Sequence, residues 1–93
     1  MTTIDVTCQS TARGWSCSVR LGEPGAAPTR HEVTVTQADL DHLAPGATNP
    51  TDLVHRSFDF LLQREPPTSI LRTFDLPAIG RYFPEYEASI RST

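Results

Sequence analysis

The sequence predicts an α+β fold in which a three-stranded antiparallel β-sheet is followed by a main helix and short proline-separated helices. Three stretches of alternating apolar and polar residues occupy the chain up to residue 36, and a period of two indicates strands with one buried face. Helix-start signals and apolar residues at helical spacing follow. Strands segregated from helices are typical of α+β proteins. With 93 residues, we expect a single domain at 1–93, its sheet portion at 1–36 and its helical portion at 37–93.

The first two strands are predicted to form a hairpin. Their apolar positions are Ile4, Val6 and Cys8 in the first strand and Trp15, Cys17, Val19 and Leu21 in the second. Small polar residues and a glycine lie between the strands, which favours an antiparallel pair with both apolar sets on one face. One such register places Ile4, Val6 and Cys8 opposite Leu21, Val19 and Cys17.

A third strand is predicted after the Pro/Gly-rich loop at residues 22–29. There His31, Val33 and Val35 alternate with polar residues. The other face of the sheet is polar enough to meet water, and consists of Asp5, Thr7, Ser16, Ser18, Arg20, Glu32, Thr34 and Thr36. Three strands leave open sheet edges, so dimerisation through an edge strand or through the helical tail is a hypothesis.

Two helix-start signals follow the strands. Thr36 with Asp39 three residues later is close to a capping box, which predicts a helix of two turns. Asn49 as cap and Pro50 as first helical residue predict the start of the main helix, which we expect to end after Glu65. Its apolar stripe consists of Leu53, Val54, Phe58, Leu61 and Leu62.

The last third of the chain predicts a string of short helices separated by prolines. Ile70, Leu71 and Phe74 have helical spacing, and residues 75–77 form another cap signal with a proline in the first turn. A further apolar stripe consists of Leu76, Ile79, Phe83, Tyr86 and Ile90. The isomeric state of the Pro66–Pro67 bond is open at this point.

Charge and composition disfavour nucleic acids and membranes as partners. Eight arginines and no lysine stand against eleven acidic residues, for a formal charge of -3. Neither half of the chain carries the positive excess that phosphate binding requires. The N-terminal residues do not resemble a signal peptide, and no stretch approaches the ~18 apolar residues of a membrane span. We therefore expect a cytoplasmic protein.

The two cysteines allow three interpretations. Alternation places Cys8 and Cys17 on the buried face, where they are expected to be small core residues with free thiols, as is usual in a reducing cytosol. The alternatives are a redox disulfide and a zinc site completed by His31. His42 and His55 are interpreted as solvated surface groups. Without a nucleophile motif, a phosphate-binding loop or a carboxylate pair on one helix face, the sequence predicts no catalytic residue, no metal and no cofactor.

The helical tail carries the candidate partner-binding residues Arg72, Arg81, Tyr82 and Tyr86. Aromatic residues and arginine are enriched at interface hot spots. An alternative interpretation has Phe74 and Phe83 filling the core while the two tyrosines lie half-exposed. Both alternatives stay open on the sequence.

Part of this tail resembles a known family. Residues 57–76, SFDFLLQREPPTSILRTFDL, and residues 79–86, IGRYFPEY, are similar to the C-terminal signature of a family of short bacterial proteins. That family has no assigned activity, so the resemblance implies no catalytic residue. A looser likeness, in strand order only, is to small antitoxins of the HicB type, which bind a toxin and sometimes DNA.

These observations predict a small, non-enzymatic interaction or regulatory module. Its partner is expected to be another protein or a second copy of the chain. The alternatives are an antitoxin-like or nucleic-acid-associated regulator, which predicts binding that weakens steeply with salt, and a cysteine-based redox or zinc-binding protein.

Overall fold

The structure, a computed structural model, describes residues 2–91 and has an α+β fold. Four strands form one mixed sheet in the order β1-β2-β3-β4, and α-helices pack against it. The strands are β1 (Thr3–Ser10), β2 (Gly14–Gly22), β3 (Thr29–Thr36) and β4 (Thr73–Asp75). The helices are α1 (Gln37–Leu43), α2 (Thr51–Leu62), α3 (Ala78–Tyr82) and α4 (Tyr86–Arg91), with a 3-10 turn at Pro67–Ser69.

The predicted hairpin register is confirmed. β1 runs antiparallel to β2 with Ile4 opposite Leu21, Val6 opposite Val19 and Cys8 opposite Cys17. β2 in turn runs antiparallel to β3, and the inward side chains of these two central strands are almost fully buried, except Trp15, which is partly buried. The predicted polar face is exposed, apart from Thr36 at its end, which is partly buried.

The fourth strand corrects the prediction of a helix around Ile70, Leu71 and Phe74. β4 pairs in parallel with β3, and the pairing begins with Glu32 N–H donating to Arg72 O at 2.7 Å. A short helix that follows two prolines has little intrinsic stability in water. The open edge of β3 offers main-chain partners, and pairing with it outweighs the local helical spacing.

The first helix begins as predicted. Thr36 Oγ1 accepts from Asp39 N–H at 3.1 Å, and Asp39 Oδ2 accepts from Thr36 N–H at 3.0 Å, which completes the capping box. This geometry turns the chain directly from β3 into α1.

Proline positions differ by one residue from the prediction. Pro50 is the N-cap of α2 rather than its first residue, and Asn49 Oδ1 accepts from Thr51 N–H at 3.1 Å. α2 ends at Leu62, earlier than Glu65, and Pro77 is likewise the N-cap of α3. No cis peptide bond occurs among the described residues, so the Pro66–Pro67 bond is trans.

The core lies between the sheet and α2. The helix buries one face against it, with Leu53, Val54, Ser57, Phe58, Phe60 and Leu61. Behind α2, Tyr86 and Ile90 of α4 are also buried. None of the helices within residues 2–91 has both the length and the apolar character that a membrane crossing requires.

Candidate functional site

An apolar groove of about 310 Å³ opens between the end of α2, the segment before β4, and α3. Its apolar lining includes Leu61, Leu71, Phe74, Ile79, Tyr82 and Phe83. Glu65 lies on the groove as well, and the structure shows no ion pair for its carboxylate among residues 2–91. We call this feature the apolar groove.

Two large hydrophobic side chains stand out as exposed within residues 2–91, and both line the apolar groove. Leu71 is 49% exposed and Tyr82 is 67% exposed. A single exposed apolar residue is ordinary on a protein surface, whereas several that gather at one concave site mark an interaction surface. Their position on one groove is therefore the strongest functional signal of the structure.

The Leu71 side of the groove is held by a buried histidine. His31, 1% exposed, donates from Nδ1 to the carbonyl oxygen of Leu71 at 2.8 Å, since a carbonyl can only accept. In the neutral ring Nε2 then accepts from Thr29 Oγ1 at 3.0 Å. The ring also packs against Phe58, with 5.5 Å between centroids. These contacts pin the segment that carries Leu71 to β3.

The Tyr82 side of the groove is held by α3. Ala78 and Ile79 are buried, and Phe83 N–H donates to Ile79 O at 2.8 Å at the end of the helix. The Phe83 ring meets Phe60 edge to face at 6.0 Å between centroids. Tyr82, the last residue of α3, is thereby left on the surface.

Tyr86 is not a surface residue, which corrects its assignment to the partner-binding set and the alternative that it is half-exposed. It is 1% exposed, and its hydroxyl lies 2.7 Å from Ser57 Oγ. Because Ser57 donates its proton to Leu53 O at 2.7 Å, Tyr86 donates to Ser57. Burial raises the pKa of Tyr86 to about 12, against smaller lowering effects from the Ser57 hydrogen bond and Arg56.

The other predicted partner-binding residues do not gather at one place. Arg81 is exposed and lines a separate cleft, whose other charged residues are Arg13, Asp39 and Asp75. Arg72 is exposed but lines neither cleft. Of the four predicted residues, Tyr82 lies on the apolar groove. Leu71, which sequence reasoning assigned to a helix, and Glu65, which it used only as a helix end, are groove residues that it missed.

The cysteines form a disulfide, so the expectation of two free thiols is wrong. Cys8 and Cys17 face each other across β1 and β2 with an S–S distance of 2.08 Å. The predicted register already placed them opposite each other, which was the signal for this bond. Both nitrogens of His31 are used in hydrogen bonds. Within residues 2–91, no three His, Cys, Asp or Glu side chains group as metal ligands.

The remaining histidines lie on the surface, in pairs with carboxylates. His42 Nε2 is 2.7 Å from Glu87 Oε1, and His55 Nδ1 is 3.4 Å from Asp59 Oδ2. All four side chains are about half-exposed. Exposed pairs of this kind contribute little to stability.

Comparison with protein-family models, curated proteins and solved structures gives no match for the chain. The resemblance of residues 57–76 and 79–86 to the short bacterial family therefore stays a prediction. These two segments contain the groove-lining side chains of α2 and β4, and those of α3 other than Ala78.

Proposed function

We propose that the chain is a small, non-enzymatic protein-binding module whose apolar groove accepts side chains of a partner protein. The observation that carries the proposal is the position of exposed Leu71 and Tyr82 on the same concave surface. An aromatic residue beside a well-packed apolar pocket is the usual composition of an interface hot spot.

The size and charge of the groove favour a protein segment over a small cofactor. Its volume of about 310 Å³ lies at the lower limit of ligand pockets, which span about 300–1,000 Å³. Apolar side chains of a short segment suit this volume. Glu65, which has no ion-pair partner within residues 2–91, would attract a basic residue beside them. The expected partner segment is thus apolar with one lysine or arginine.

Selection from a random peptide library tests the proposal, because the library presents many candidate segments to the groove at once. We expect the selected peptides to combine apolar residues with a basic one. When a selected peptide is titrated into the protein, the NMR resonances of Leu71 and Tyr82 should shift. Peptides that instead perturb the polar face of the sheet, or a selection that yields no binder, would refute the proposed site.

Substitutions then show whether peptide affinity depends on groove residues or on neighbouring surface residues. Tyr82→Ala should weaken peptide binding about tenfold or more, as expected for a hot-spot residue. Arg72→Ala changes an exposed neighbour outside the groove and should leave affinity within about twofold, which makes it the matched control. Glu65→Gln should reduce affinity for peptides with a basic residue and spare those without one. Equal affinity for Tyr82→Ala and the unmodified chain would contradict the proposal.

A further inference from the structure

The outer edge of β1 presents a row of unpaired main-chain groups. Thr11 and Gly14, which close the hairpin, exchange N–H···O bonds of 2.8 and 3.4 Å. Thr11 and Gly14 are thus a hydrogen-bonded pair. Cys8 and Cys17 are a non-hydrogen-bonded pair, in which the Cα atoms lie closer together, here 4.0 Å apart. The two kinds alternate, so Ile4, Val6 and Cys8 direct their N–H and C=O groups away from β2. Their main chain contacts no other hydrogen-bonding group within residues 2–91.

This edge lacks most of the devices that normally prevent strand pairing. β1 has eight residues, none of them proline or lysine; its one charged side chain, Asp5, lies on the polar face, and none lies on the inward face. The opposite edge of the sheet, β4, has only three residues. The β1 edge is therefore the less protected of the two edges.

The inward side chains of β1 are also incompletely covered. Ile4, Val6 and Cys8 are partly buried, whereas their neighbours across the ladder on β2 are buried. A strand added beyond β1, with apolar residues on the same face, would complete this layer. The apolar stripe and the free main-chain groups lie on the same three residues, so one partner strand satisfies both.

We propose that this partner strand is β1 of a second copy, paired antiparallel about a two-fold axis at Val6. In this register Ile4 faces Cys8 of the second copy, and Val6 faces its own equivalent. About six main-chain hydrogen bonds would form. On the polar face Asp5 lies opposite Thr7 of the second copy, so no like charges face each other.

Other registers fit less well. A shift that brings Asp5 opposite Asp5 of the second copy places two carboxylates together, which is unfavourable. A shift in the other direction places Ile4 opposite Ser10, an exposed polar residue. The alternating pattern of β1 is therefore complementary to itself in one register. The resulting interface has two-fold symmetry, which is the commonest symmetry of homodimers.

Hydrogen exchange of individual amides is the direct test, because the strand supplies its own control. Asp5 and Thr7 donate within the monomer, whereas Val6 and Cys8 would donate only across the dimer interface. We expect a dimer mass by light scattering and slow exchange for all four amides. A monomer mass up to about 1 mM, with Val6 and Cys8 exchanging freely beside protected Asp5 and Thr7, would overturn the proposal.

Two lysine substitutions provide the second test. Val6→Lys introduces a charge on the inward face at the two-fold axis and should give a monomer. Thr7→Lys adds the same charge on the polar face, opposite Asp5 of the second copy, and should leave the dimer intact. Circular dichroism checks that both variants fold. A Val6→Lys variant that is folded and still dimeric would show that another surface associates, and would refute the edge. Tyr82→Ala should not change the dimer, since the apolar groove is a separate surface.

Discussion

His31 Nδ1 lies 2.8 Å from the carbonyl oxygen of Leu71, although forty positions separate the two residues in the sequence. Because His31 is buried in β3 and Leu71 lines the apolar groove, this bond connects the predictable sheet with the part of the chain that was hardest to predict. It fixes the segment that bears the most accessible aliphatic side chain of the groove.

The first prediction concerns this bond. His31→Phe retains a ring against Phe58 but leaves the Leu71 carbonyl and the Thr29 hydroxyl without partners. We expect the free energy of unfolding to fall by about 1–3 kcal/mol. Thr29→Val breaks only the bond to His31 Nε2 and keeps the bond from Nδ1 to Leu71 O, so it should cost less than His31→Phe. Urea denaturation of the two variants measures both values, and an equal loss in both would show that the Leu71 bond contributes nothing.

Sequence reasoning succeeded for the first half of the fold because its signals are local. Alternation fixed the inward set of β1, β2 and β3, and the opposed apolar residues fixed the hairpin register. The Thr36 capping box also depends on residues only three apart. The strand patterns allow few alternative registers, because a shift by one residue would expose the whole apolar face.

Sequence reasoning failed where the structure depends on contacts between residues far apart in the chain. Leu71 and Phe74 have helical spacing in the sequence, but β4 forms because β3 offers a free edge. The burial of Tyr86 depends on Ser57, a small residue in the stripe of α2 whose hydroxyl accepts from the tyrosine. The apolar groove lies between these same elements. Its Tyr82 could be predicted from residue type alone, whereas the exposure of its Leu71 depends on the pairing of β4 with β3 and could not be predicted.

The second prediction is a loss of stability at high pH. The pKa of Tyr86 rises from 10.0 to about 12 in the folded protein, so the folded state keeps its proton at pH values where the unfolded state releases it. The stabilisation is complete below pH 10 and is lost as pH rises toward 12, by about 1.4 kcal/mol per unit. Urea denaturation at about pH 9 and about pH 11 measures this loss.

Two variants identify the group responsible. Tyr86→Phe cannot ionise and should remove most of the decline between these pH values. Tyr82→Phe removes the exposed tyrosine and should leave the decline unchanged. If Tyr86→Phe retained the full pH dependence, a group other than the buried phenol would be titrating.

The third prediction concerns the bond between Cys8 and Cys17. Closing a loop with a sequence separation of nine stabilises the folded state by about 2–3 kcal/mol in the chain-entropy account. The double variant Cys8→Ala, Cys17→Ala should therefore unfold at a lower urea concentration. Thiol alkylation of protein from host cells, followed by mass spectrometry, reports which redox state exists there. Complete alkylation of both cysteines would contradict the disulfide and support the cytoplasmic prediction.

The fourth prediction uses the two glycines at the ends of β2. A Cβ at Gly14 would overlap the Val35 carbonyl oxygen and lie 2.7 Å from Thr36 Cα. Both are main-chain atoms of β3, so neither can move without disrupting the ladder. Gly14→Ala should thus cost about 3 kcal/mol or more. A Cβ at Gly22 would meet nothing within 4 Å, and Gly22→Ala should stay within about 0.5 kcal/mol. Thermal unfolding of the pair measures the difference, and a tolerated Gly14→Ala would mean that β2 and β3 pair in another register.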